Sequence, residues 1–307
     1  MPSAGILVRQ RLADQRDALR TAEAAVRAGG PTGLHDLRVA MRRIRSLLAT
    51  FRPVFDTSVT EPLRAELKDA SGRLGQSRDA EVATDNTDRL LEDVELDGLD
   101  EDAVAGLRAR LRLDAAAAGE DVEEILDSTR YAALSILLDE LVTHPPLTDA
   151  AQRDAAKVAR KRVRHEARRF ARLAEAARAD LGADGASPHD HGSAAPPAVD
   201  HAAHLHEVRK ATKRLRYAAE AARPVSDEPY RRIVKLAKAV QGALGEHHDA
   251  VMTRQALRHL ALDEAVGEAA AFLLGHLDAD EQRAMATLEA QSWQTIDELR
   301  AELDAAF

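Results

Sequence analysis

The chain has 307 residues, 45% of them hydrophobic, which is enough for one large or two ordinary domains and excludes disorder as the main state. It contains no cysteine, so disulfides, thiolate zinc sites and thiol nucleophiles are excluded, as expected in a reducing compartment. The formal net charge of −9 argues against an anionic partner only as an average, and an aromatic content of 3% argues against reading single-stranded bases by stacking.

Helical periodicity runs along nearly the whole chain, punctuated by glycine and proline. At the N-terminus only Gly5 to Val8 form an apolar run, too short for a secretory or membrane segment, so a cytoplasmic protein is expected. The spacing predicts helices over about 5–28, ending at Gly29-Gly30-Pro31, and over 33–52, ending at Pro53. Gly75 separates helices at 60–74 and 78–92, and an acidic region carries those at 99–127 and 130–143. Beyond Pro145-Pro146, helices are predicted at 149–179, 200–223, 227–243, 247–262, 264–276 and 279–305. Residues 181–199, rich in Gly, Ala and Pro without apolar period, read as a flexible loop. No strand pattern competes, and the expected class is all-α.

Laid against itself, the chain is a tandem duplication, with repeats at about 5–145 and 149–307 inside a single domain of 5–307. Leu34-His35-Asp36-Leu37-Arg38 begins a segment that matches the one from Leu205-His206-Glu207-Val208-Arg209, and both follow the pattern H-x-x-R-x-x-x-[RK]-R-x-R. Leu74-Gly75 with Asp79-Ala80 matches Leu244-Gly245 with Asp249-Ala250. In the helices that precede the basic motifs, Arg9, Arg16 and Arg20 share the spacing of Lys157, Arg164 and Arg168.

At about 100° per residue, His35, Arg38, Arg42 and Arg45 form one stripe beside the apolar face of Leu37, Met41, Ile44, Leu48 and Phe51. His206, Arg209, Lys213 and Arg216 form the matching stripe, whereas Arg43 and Arg214 point elsewhere. Arg160 and Lys161 flank the cations of the 149–179 helix, and Arg27 closes the row on 5–28. Aligned like charges repel, so a face built only for stability would carry interspersed glutamates. Guanidinium and ammonium groups make charge-assisted bonds to phosphate oxygens, and stripes of about 15 Å, related by the expected pseudo-two-fold, would line a groove for a linear phosphate polymer.

The paired HxxRVAxRRxR and HxxRKATKRLRY segments, each followed by LGxxxDA, resemble the CHAD family, the conserved histidine alpha-helical domain. The resemblance implies two four-helix bundles around a basic central channel that binds inorganic polyphosphate without catalysis, with association at polyphosphate granules. It places the family's signature histidines at His35 and His206 and its basic positions at Arg38, Arg42, Arg45, Arg209, Lys213 and Arg216. No β-rich triphosphate-tunnel (CYTH) segment is read here, so a stand-alone member without that activity is expected. The expected polyphosphate contacts are those residues with Arg9, Arg16, Arg20, Lys68, Lys157, Arg160, Lys161, Arg164, Arg168 and Lys238. No cofactor, metal or membrane partner is expected.

Two alternatives stand beside this reading. A duplex nucleic acid would also engage basic helices, though the acidic exterior opposes it. His247-His248-Asp249 could serve a metal-dependent phosphohydrolase, but the other repeat has Ser77-Arg78-Asp79 there. Asp79 and Asp249 read more simply as N-caps. The cluster His189, His191, His201, His204 and His206 reads as a His-rich tract around the loop before it reads as a transition-metal site. If histidine contacts the ligand, affinity should rise as pH falls toward 6.

Overall fold

The computed structural model describes residues 2–93, 106, 109, 122–183, 199–262 and 267–307. Among them the regular structure is helical, in chain order α1 (Ala4–Arg27), α2 (Gly33–Thr50), α3 (Thr57–Asp93), α4 (Val122–Asp127), α5 (Thr129–Thr143), α6 (Ala155–Ala183), α7 (Val199–Ala222), α8 (Asp227–Ala261) and α9 (Glu268–Ala306). No described helix is long and apolar enough to cross a membrane.

The apolar face read on 33–52 is the one that folds inward, since Leu37, Met41, Ile44, Leu48 and Phe51 are all buried. Each such residue contributes about 1.5–3 kcal/mol through removal of apolar surface from water. In the first half α1 packs on α2 and α5, and α3 packs on α2 and α5. In the second half α6, α7, α8 and α9 pack in succession, while α2 against α7 and α3 against α8 join the halves.

The starts of α1 and α6 are tied by a reciprocal backbone exchange, Ala4 N–H to Arg153 O at 2.8 Å and Ala155 N–H to Pro2 O at 3.0 Å. The cap residues Ser3 and Asp154 face each other there, each accepting from a backbone N–H of its own first turn. This sets the register between the two helices. Ala4, Val8, Leu12 and Leu19 are buried on α1 as Ala155, Ala159, Val163 and Phe170 are on α6. The arginine spacing had placed the pair three residues out of step, because exposed cations carry no packing constraint whereas core positions do.

The helix breaks expected at Gly75 and Gly245 do not occur. The segments 60–74 and 78–92 are one helix, as are 227–243 and 247–262, and 264–276 joins 279–305 in α9. A glycine inside a helix costs stability but does not end it. Asp79 and Asp249 therefore lie within helices, and the N-cap role is corrected for both. Gly29, with φ 70°, does supply the left-handed turn that ends α1. The loop expected over 181–199 is shorter, since residues 181–183 close α6 and Val199 opens α7; its remainder and most of the helix expected over 99–127 lie outside the described residues.

Candidate phosphate-binding site

Where α2 meets α7, the two cationic stripes come together. Arg42 acts electrostatically on Arg45 along its own helix and on Arg209 and Lys213 across the interface. Burial pushes the Arg45 and Arg209 guanidiniums below their ordinary range, reinforced at Arg45 by Arg64, Arg42 and Arg214, whereas at Arg209 the opposing pull of Asp249 outweighs the push of Arg42. Lys213 is lowered to about 7 by desolvation first, then by Arg209, Arg42 and Arg216, with only Asp249 opposing. Such mutual destabilisation is what a site built for an anion looks like without one.

The hydrogen-bond inventory agrees. The Nε atoms of Arg45, Arg64, Arg169, Arg209 and Arg216 are buried without a hydrogen-bond partner. A buried donor left unmade costs about 1–3 kcal/mol, so five in one region call for acceptors from elsewhere. Arg216 is partly engaged, lying 3.5 Å from Glu220 and with its guanidinium over the Tyr217 ring.

The glycine of the first LGxxxDA element has its reason here. A Cβ at Gly75 would sit 2.6 Å from the Arg38 guanidinium, and one at Gly245 would sit 3.8 Å from that of Arg209. At Gly75 the missing side chain makes room for Arg38 against the neighbouring helix, whereas at Gly245 a methyl would fit beside Arg209.

His206 stacks on His248 at 4.8 Å between ring centroids, and its Nδ1 is buried without a hydrogen-bond partner, so no carboxylate holds that nitrogen. Both rings titrate below the ordinary histidine value, His248 at about 4, through burial first and then the surrounding cations. His35 is exposed at the start of α2. His247 points away from His248, toward Glu289 and His201 in the second half, where His201 Nε2 meets Glu289 Oε1 at 2.8 Å and Trp293 Nε1 donates to the same oxygen at 3.4 Å. The triplet His247-His248-Asp249 thus splits between two environments, as consecutive helix positions must. The histidine tract separates too: His201 faces Glu289, His206 faces His248, and His189 and His191 lie outside the described residues. No group of three or more metal-ligating side chains forms among the described residues.

The outer cations require correction. Arg16 is buried and donates to Asp139 Oδ1 at 2.6 Å and to Ser135 Oγ at 2.7 Å, while Arg20 reaches the same carboxylate at 2.7 Å. Arg27 pairs with Asp127 at 2.7 Å. All three brace α1 against α4 and α5 by pairing with carboxylates across the helix pair, although Arg16 Nη1 is left buried without a partner. Arg9 lies in an outer groove beside Ile6, Gln10 and Leu147. Arg164 and Arg168 line a cleft with Glu175, Arg300 and Phe307 on the α9 side. Lys157, Lys161 and Lys68 are exposed, and Arg160 stands near Tyr230. Lys238 joins Arg11, Gln15, Arg43, Glu220 and Arg223 around a cleft of about 300 Å³ at one edge of the α2–α7 contact.

Sequence reasoning missed Arg64 and Arg169. Arg64 and Arg169, with Arg214 and Glu166, gather at the other edge, where burial first and then Arg169 lower the Arg214 guanidinium and Arg64 acts on both Arg45 and Arg214. Arg43 and Arg214, expected to point away, therefore flank the stripes. In the register set by burial, Arg11 and Gln15 correspond to Arg162 and Glu166, a signal legible only once that register is known.

A family model described as the CHAD domain matches residues 10–258. Uncharacterized proteins of two Mycobacterium tuberculosis strains, CDC 1551 and H37Rv, are each 32% identical over 263 residues, covering 83% of this chain and 45% of their own length. The chain thus spans less than half of those relatives. Among solved structures, PptA from Streptomyces chartreusis superposes with a TM-score of 0.71 at 25% identity, covering 96% of this chain and 99% of that one. The CHAD domain from the plant Ricinus communis gives 0.67 at 26% identity, covering 99% and 92%.

Proposed function

The chain belongs to the CHAD family, and from that premise we propose that it binds inorganic polyphosphate, without catalysis, along the cationic seam between α2 and α7. The observation that carries this reading is the set of buried guanidinium donors without acceptors at Arg45, Arg209 and their neighbours. Arg42, Arg45, Arg209, Lys213 and Arg216 form the central contacts, and the cleft at one edge and the cations Arg64, Arg169 and Arg214 at the other extend the path for a longer polymer. A chain of identical phosphates looks alike from both ends, which suits a seam built from two copies of one motif. Association with polyphosphate granules follows from the same binding.

Competitive titration at about 150 mM salt, where exposed charges are already well screened, tests the reading with long-chain polyphosphate, orthophosphate and duplex DNA. Polyphosphate is expected to bind far more tightly than the other two; equal or stronger DNA binding would overturn it in favour of an open nucleic-acid surface. The same titration should weaken between pH 7 and 9. Free Lys213 loses its proton near pH 7 and a bound phosphate restores it, so binding takes up a proton across this window and affinity falls as pH rises. His206 and His248, neutral at pH 7 in the free protein, add affinity only on the acidic side.

A further inference from the structure

Lys213 stands apart from the other lysines. Lys68, Lys157, Lys161, Lys210, Lys235 and Lys238 are exposed, whereas Lys213 is half-buried at the centre of the seam. Arg209 lies one turn before it on α7, Arg216 one turn after, and Arg42 faces it from α2; all three act on its ammonium. The single opposing charge is Asp249 on α8, the weakest of these influences. An amine flanked by three guanidiniums is a nucleophile beside a phosphate receptor.

We propose that Lys213 acylates itself from acyl phosphates, with Arg42, Arg209 and Arg216 holding the phosphoryl group while Nζ attacks the acyl carbon. The Nζ lone pair forms the nitrogen–carbon bond, the bond from carbon to the bridging phosphate oxygen breaks, and the displaced amine proton leaves with hydrogen phosphate. The products are an acyl-lysine and phosphate, with no oxidant or reductant involved. An acyl phosphate fits because it carries, a few bonds apart, the anion the arginines recognise and the electrophile the amine needs.

Two physical effects favour this residue. With its proton affinity lowered to about 7, Lys213 is half neutral at neutral pH, roughly a thousandfold more free amine than an ordinary lysine offers. Its lower basicity, and the proton that a bound phosphoryl group draws back onto the amine, take back part of that gain, leaving tenfold or more in rate. The inference rests on the seam being a phosphoryl site. It adds a regulatory consequence: acylation removes one cation from the seam, and a bound polymer covers Nζ, so the two exclude each other.

The test is peptide mass spectrometry of every lysine after incubation with acetyl phosphate at pH 7.5, with acetic anhydride as a control reagent that lacks phosphate. Lys213 is expected to be acetylated at least tenfold faster than the fastest of the six exposed lysines. Its advantage should shrink at least threefold with the anhydride, and saturating long-chain polyphosphate should suppress Lys213 while leaving Lys68, Lys157, Lys161, Lys210 and Lys235 unchanged. Acetylation no faster than at the exposed lysines, or the same preference from both reagents, overturns the proposal. Preferential acetylation that polyphosphate does not suppress would leave the acylation site standing and sink the polyphosphate reading. Tight polymer binding without preferential acetylation would do the reverse.

Discussion

The two motif helices, α2 and α7, and the two helices that precede them, α1 and α6, follow different rules. On α2 and α7 the repeated cations keep one job: Arg38 and Arg209 each lie against the glycine of the neighbouring helix, and Arg42 and Lys213 act on each other across the seam. On α1 and α6 the repeat survives in the core but not in the charges. Arg16 is buried against Asp139, whereas the position matched by core register is Ala167, an apolar residue in the interior. A cation with a carboxylate partner braces the fold; one surrounded by other cations waits for an anion.

Reversing charge on the seam breaks the comparison most strongly. Arg42→Glu with Lys213→Glu is expected to lower polyphosphate affinity roughly a hundredfold or more, because two attractive contacts become repulsive in a partly desolvated place. Thermal denaturation should show no loss of stability, since the wild-type cations repel one another. Unchanged affinity would remove the seam as the binding site.

Arg16→Ala should behave in the opposite way. It removes the bonds to Asp139 and Ser135 and leaves a small void, costing about 2 kcal/mol of unfolding free energy in denaturant titration. Polyphosphate affinity should stay within about twofold. A large loss of affinity with stability intact would return Arg16 to the binding surface and erase the distinction between paired and unpaired cations.

Much of this was legible in the sequence, and the failures share one cause. The class and the apolar face of α2 follow from periodicity, which records packing directly; the motif cations from Arg38 to Arg45 and from Arg209 to Arg216 follow from repeated spacing. The row Arg16, Arg20, Arg27 has the same kind of regularity, yet its fate was decided by Asp139 and Asp127, 100 or more positions away in the chain. Helical phase tells which way a side chain leaves its helix and nothing of what stands opposite. Arg64 and Arg169 were missed for the same reason, since α3 and α6 supply them from outside the motif. The glycines at 75 and 245 were read as breaks because a glycine inside a helix looks in sequence like one that ends it, and at Gly75 the close approach of Arg38 from another helix leaves no local trace.

Those two glycines give the finest comparison between the halves. In a helix interior, Gly→Ala gains about 0.5–1 kcal/mol from reduced chain entropy and better propensity. Gly245→Ala should realise most of that gain, because its new Cβ would meet Arg209 at an ordinary 3.8 Å. At Gly75 the same methyl would collide with the Arg38 guanidinium at 2.6 Å, so the flexible arginine must swing aside. Gly75→Ala is therefore expected to weaken polyphosphate binding several-fold with little change in stability, and Gly245→Ala to raise the melting temperature by a few degrees with binding unchanged. Equal behaviour of the two variants in binding would mean that the placement of Arg38 over the glycine has no bearing on the ligand. The glycines would then matter only for how closely their helices approach α2 and α7.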